Sequence, residues 1–167
     1  MYQLYYQYPN TWFGDCMPFG KDGKFYLFHQ RDTRRPGPFG EPFGWSLAVT
    51  SDFVPYEDYG TVLPGGGDDA QDQFIFAGTV FEAEGRYHAI YTGYNRDYEK
   101  QGKKPQILMK AESDDLIHWQ KNGEKLVEPQ PGYEPQDWRD PFVFWDEELG
   151  LYRMILGTRK KSEHINR

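Results

Sequence analysis

The sequence has 167 residues, a formal net charge of -7 and an aromatic content of 18%. That length suits one domain with a sizeable core, and the acidity excludes nucleic acid and anionic membrane as partners, because both are bound through basic patches. One cysteine and four histidines exclude an intramolecular disulfide framework and form no metal-ligating pattern, so neither a metal nor a cofactor is expected. No stretch approaches the ~20 apolar residues of a membrane span. Met1-Tyr2-Gln3-Leu4-Tyr5 is not a basic-then-apolar leader, so a soluble, cytoplasmic chain is expected unless a leader has been removed.

The 13 Tyr, 12 Phe and 5 Trp, with 18 Gly and 12 Pro, favour strands and turns over helix bundles. In chain order, residues 8–19 predict a loop running into a strand, with Gly14 and Pro18 on either side of Asp15. Asp22-Gly23 is a tight hairpin signal, and Phe25-Tyr26-Leu27-Phe28-His29-Gln30 follows it as a strand. A Pro/Gly loop over 34–44 precedes a strand over 45–50, and the block closes through residues 51–57 and 59–64. The run Gly66-Gly67-Asp68-Asp69-Ala70-Gln71-Asp72 lacks the spacing of a known calcium loop and reads as a solvated turn.

The same order of signals then returns. Gly85-Arg86-Tyr87 answers Gly23-Lys24-Phe25, and the run ending at Trp119 answers the one ending at Tyr56. Gly150-Leu151-Tyr152 opens a third copy of the signal at Gly85. A period of about 62 to 65 residues, with about four short strands per unit, predicts an all-β fold, a β-propeller with long inter-strand loops. Its first blade covers about 10–64, its second about 72–128, and a third starts over about 136–167. About two and a half blades leave an open sheet edge. The expectation is a portion of a longer protein, or a ring completed by partner chains, with self-association through the edge strands. Residues 158–167 read as a polar loop.

Asp137-Trp138-Arg139-Asp140-Pro141 stands directly before Phe142-Val143-Phe144, an apolar run that reads as a buried strand. Its charges admit two readings. A loop ion pair contributes about 1 kcal/mol or less. An active site would use the strand to fix a carboxylate for sugar hydroxyls and the arginine to hold that carboxylate ionised.

The stretches over residues 12–18, 76–79, 113–119 and 138–141 together resemble glycoside hydrolase family 32, the β-fructosidases built on a five-bladed β-propeller. Trp12-Phe13-Gly14-Asp15-Cys16-Met17-Pro18 is similar to the family's Trp-Met-Asn-Asp-Pro-Asn-Gly, Phe76-Ala77-Gly78-Thr79 to its Phe-Ser-Gly-Ser, and Trp138-Arg139-Asp140-Pro141 to its Arg-Asp-Pro. Ser113-Asp114-Asp115-Leu116-Ile117-His118-Trp119 resembles its blade-closing run. Gly14, Cys16 and Ala77 stand where the family has asparagine, proline and serine.

The resemblance implies a partial five-bladed propeller and a retaining hydrolase of β-fructofuranosidic bonds acting on a small fructoside. Asp15 would be the nucleophile, Asp140 the transition-state stabiliser, and Trp12, Gln30, Trp45, Phe76 and Arg139 the substrate contacts. Against these roles stand a turn-capping Asp15 and plain strand packing of Gln30, Trp45 and Phe76. Cys16 reads as a buried small residue, not a reactive thiol. The family's general acid would lie beyond Arg167, and Glu163 lacks its motif. Losing proton donation costs on the order of 10²–10⁴-fold in rate, so the chain alone is expected to catalyse poorly. Two alternatives remain open: a non-catalytic sugar-binding module or assembly subunit, and a related five-bladed enzyme acting on arabinosides.

Overall fold

The protein is seen in a computed structural model that describes residues 6–162. Its regular elements are ten strands: β1 (Trp12–Lys21), β2 (Lys24–Asp32), β3 (Trp45–Thr50), β4 (Glu57–Leu63), β5 (Phe74–Ala83), β6 (Arg86–Tyr94), β7 (Gln106–Ser113), β8 (Trp119–Val127), β9 (Tyr133–Asp146) and β10 (Leu151–Lys160). Among the described residues there is no helix. Three antiparallel sheets run in simple order, β1-β2-β3-β4, β5-β6-β7-β8 and β9-β10, and β5 packs between β1 and β9.

Local chemistry sets the repeat. Asp22 and Gly23, at φ 50° and 74°, join β1 to β2, and Glu84 and Gly85, at φ 52° and 75°, join β5 to β6. Two successive left-handed residues match the right-handed twist of the strands they connect. Farther along, Thr50 Oγ1 accepts from Phe53 N at 2.9 Å, and Ser113 Oγ accepts from Leu116 N at 2.9 Å. Phe53 and Leu116 then take left-handed φ values of 62° and 67°. The hydroxyl replaces the ladder partners that the chain loses at this corner.

Phe28, Trp45, Leu47, Leu63, Ile75 and Tyr91, all fully buried, form the centre of the core between the first two sheets. Each such side chain stabilises by ~1.5–3 kcal/mol relative to exposure.

The structure corrects three sequence expectations. Phe142 and Phe144 are 55% and 37% exposed while Val143 is 7% exposed, so the run at 142–144 is a half-buried alternating strand, because only one face of β9 meets a neighbour. Asp72 is no solvated turn residue. It is 6% exposed, 2.8 Å from Lys121 Nζ, and accepts from Tyr91 Oη at 3.1 Å. Residues 158–160 are strand, paired with β9, whereas Glu163 and the last residues lie outside the described ones.

Candidate active site

The first strand of each sheet in chain order carries an irregularity. On β1, Phe13 pairs with Arg31 and Cys16 with His29, so Gly14 and Asp15 face Gln30 alone. On β5, Phe76 and Ala77 face Thr92 alone; on β9, Asp140 and Pro141 face Leu156 alone. A bulge of two residues against one re-aims a side chain. Here three bulges turn Asp15, Phe76 and Asp140 towards one cavity of about 450 Å³. Proline suits such a site because it has no ladder N–H to give.

Asp140 has φ 57°, a left-handed conformation that costs a non-glycine residue ~1–3 kcal/mol. Its N–H donates to Thr92 Oγ1 at 3.0 Å, and Trp138 N donates to Gln106 Oε1 at 3.2 Å, so side chains of β6 and β7 clamp the middle of β9. Arg139 is less devoted to Asp140 than its place in the sequence suggests. Its Nη1 is 2.8 Å from Asp137 Oδ1, whereas its Nε is 3.6 Å from Asp140 Oδ2. Partial burial raises the Asp140 pKa; Arg139 pulls it down and Asp15 pushes it up again. The net direction is upward, because desolvation outweighs the pull of Arg139, which still favours the ionised form.

Gln30, Phe76 and Arg139 share the cavity with the two acids. Gln30 Nε2 also donates to Ile75 O at 3.5 Å, tying β2 to β5. Trp45 is a correction. It is fully buried, and its indole N–H donates to the Phe76 carbonyl at 3.0 Å, so it supports the wall from behind and does not touch the cavity. Trp12 is 59% exposed and off the cavity lining, with the Arg34 guanidinium 4.3 Å from its ring centre. Cys16, next to the bulge, is exposed, not buried. Partial desolvation still raises its thiol pKa, which favours the unreactive thiol.

Sequence reasoning missed the rest of the wall. Phe39, Tyr94, Arg96, Glu99, Gln106 and Gln136 also line the cavity. Phe76 and Tyr94 stack at 4.8 Å, and Phe39 lies 5.7 Å from Phe76, giving one aromatic side. Arg96 is fixed by the Gly40 carbonyl at 3.1 Å and by the Phe74 ring at 4.4 Å, while Glu99 accepts from Gln136. The repeat signalled one supporting residue: Thr92 stands one period after Gln30, and both stand behind a bulge. An aromatic wall facing carboxylates and amides can hold a small polyhydroxylated ligand by its C–H face and its hydroxyls.

The profile "Glycosyl hydrolases family 32 N-terminal domain" matches residues 5–166. A levanase of Bacillus subtilis (strain 168) is 28% identical over 144 residues, which are 81% of this chain and 20% of that protein. Fructan 1-exohydrolase IIa from Cichorium intybus superposes with a TM-score of 0.72 at 21% identity, over 93% of this chain and 29% of its own. Sucrose-6-phosphate hydrolase from Lactobacillus gasseri gives 0.71 at 24% identity, over 89% of this chain and 29% of its own. The chain thus spans less than a third of the length of each of these three proteins. The structural likeness establishes the fold, part of a five-bladed β-propeller.

Proposed function

The chain belongs to glycosyl hydrolases family 32, and from that membership we propose that its cavity is the fructosyl-binding part of a β-fructofuranosidase site. The observation that carries the reading is the convergence of Asp15 and Asp140, from the first strands of different sheets, on one cavity beside Phe76 and Gln30. In this reading Asp15 attacks the anomeric carbon from below the ring, giving a covalent fructosyl intermediate and retention. Asp140 accepts hydrogen bonds from fructosyl hydroxyls, which strengthen as the ring gains positive charge and so lower the barrier selectively. Phe76, backed by Trp45, presents a flat apolar face to the sugar carbons. A protonated carboxyl that donates to the leaving oxygen completes such a site. Levan, other fructans and sucrose 6-phosphate are the substrate classes that the names of the similar proteins suggest.

The test is fructose release from a panel of fructosides and arabinosides by this chain and by Asp15→Asn. Release from fructosides that the substitution abolishes supports the reading. Release that persists in Asp15→Asn contradicts it, and fructoside binding without release favours a binding module.

A further inference from the structure

Thr92 has no part in the proposed chemistry, yet its single hydroxyl joins two of the three bulges. It is fully buried and stands opposite Phe76 and Ala77. A hydroxyl can donate once and accept twice. Thr92 donates to the Ala77 carbonyl at 3.1 Å, a carbonyl the bulge has removed from regular pairing, and it accepts the Asp140 N–H at 3.0 Å. The residue after Asp140 is proline, which offers no N–H, and the residue before a proline is itself restricted. Asp140 nonetheless sits at φ 57°, a conformation its own backbone does not prefer. Gln30, one repeat earlier, makes the corresponding reach into the next sheet by donating to Ile75 O.

We propose that Thr92 is the positioning residue for Asp140, relaying the bulge of the second sheet into the left-handed backbone that aims the Asp140 carboxylate into the cavity. The functional weight of this inference rests on the fructosidase reading; the placement itself does not. Backbone misplacement on the order of 1 Å at a reacting group can cost 10²-fold in rate, so one buried hydroxyl has leverage over the site without touching a substrate.

Three substitutions separate the hydroxyl from packing. Thr92→Val keeps the volume and removes the hydroxyl, Thr92→Ser keeps the hydroxyl and removes a methyl, and Thr92→Ala against Thr92→Ser repeats the contrast should the valine chain not fold. Amide hydrogen exchange at Asp140 and the NMR titration of its carboxyl are read in the 167-residue chain. The expected result is an Asp140 amide exchanging at least ~10-fold faster in Thr92→Val, with its carboxyl titration displaced, while Thr92→Ser stays within ~3-fold of the parent and the Trp138 amide is unmoved. An unchanged Asp140 in Thr92→Val, or an equal change in Thr92→Ser, overturns the proposal. Neither readout needs a sugar, so a silent fructoside assay would count against the enzyme reading and leave this result decisive.

Discussion

Gly14 and Gln30 occupy each other's space across the first bulge: a Cβ on Gly14 would lie 2.6 Å from Gln30 Oε1 and 2.9 Å from Gln30 Cβ. The glycine is therefore the partner of a particular glutamine conformation, not merely a lost asparagine. Gly14→Asn, the substitution that restores the family motif, is expected to displace Gln30 and destabilise the chain by ~1–3 kcal/mol, as overpacking does. Gly14→Asn with Gln30→Ala should recover only the part of that loss due to Oε1, because alanine keeps the Cβ that lies 2.9 Å away in the space the two sites share. Denaturant midpoints of the four chains measure the coupling; strict additivity would contradict it.

Asp140 gives a pH-dependent signature. Its folded pKa is raised, chiefly by desolvation, so its contribution to stability is fully present below the unfolded pKa and is lost as pH rises through the folded pKa. Asp140→Asn removes the charge and should raise Tm at neutral pH by up to ~2 °C, the small size reflecting a side chain that is 51% exposed. The gain should vanish where the parent carboxyl is protonated. If the Arg139 pair governed the group, the substitution would lower Tm instead.

His29 titrates with the opposite sign. It is fully buried, its Nε2 accepts from Arg31 Nε at 3.2 Å, its Nδ1 lies 2.9 Å from the Leu27 carbonyl, and burial pushes its pKa down to about 4. The unfolded chain binds a proton there first, so stability is complete above about pH 6.5 and falls as pH drops from there towards about 4. The expected loss is ~2–3 kcal/mol across that window. Thermal midpoints from pH 7 to 4 should decline in the parent and flatten in His29→Gln; parallel curves would contradict the account.

What was legible in the sequence was local. Asp22-Gly23 and the Thr50 and Ser113 corners specify their turns with residues adjacent in the chain, so the repeat could be read. Asp15, Phe76 and Asp140 could be found through short motifs on single strands. The role of Trp45 could not, because a flat indole suits a core and a sugar wall equally, and only the packing of Phe28 and Tyr91 around it decides. Phe39, Tyr94 and Glu99 reach the cavity at strand ends or on loops without a motif, and a bulge is one unmarked extra residue. Arg139 approaches Asp137 more closely in space than it does Asp140, its neighbour in sequence, and only the folded geometry shows that order.

The central claim is that Asp15 and Asp140 share a cavity built for a fructosyl group. Calorimetric titration of the chain with fructose, with arabinose as the comparison sugar and Asp140→Asn as the control, tests it most directly. The account predicts one fructose site per chain, weaker binding of arabinose, and at least ~10-fold loss of fructose affinity in Asp140→Asn, a hydrogen-bonded charge being worth ~1.5–3 kcal/mol. Fructose binding that is absent, or indifferent to Asp140→Asn, would contradict it.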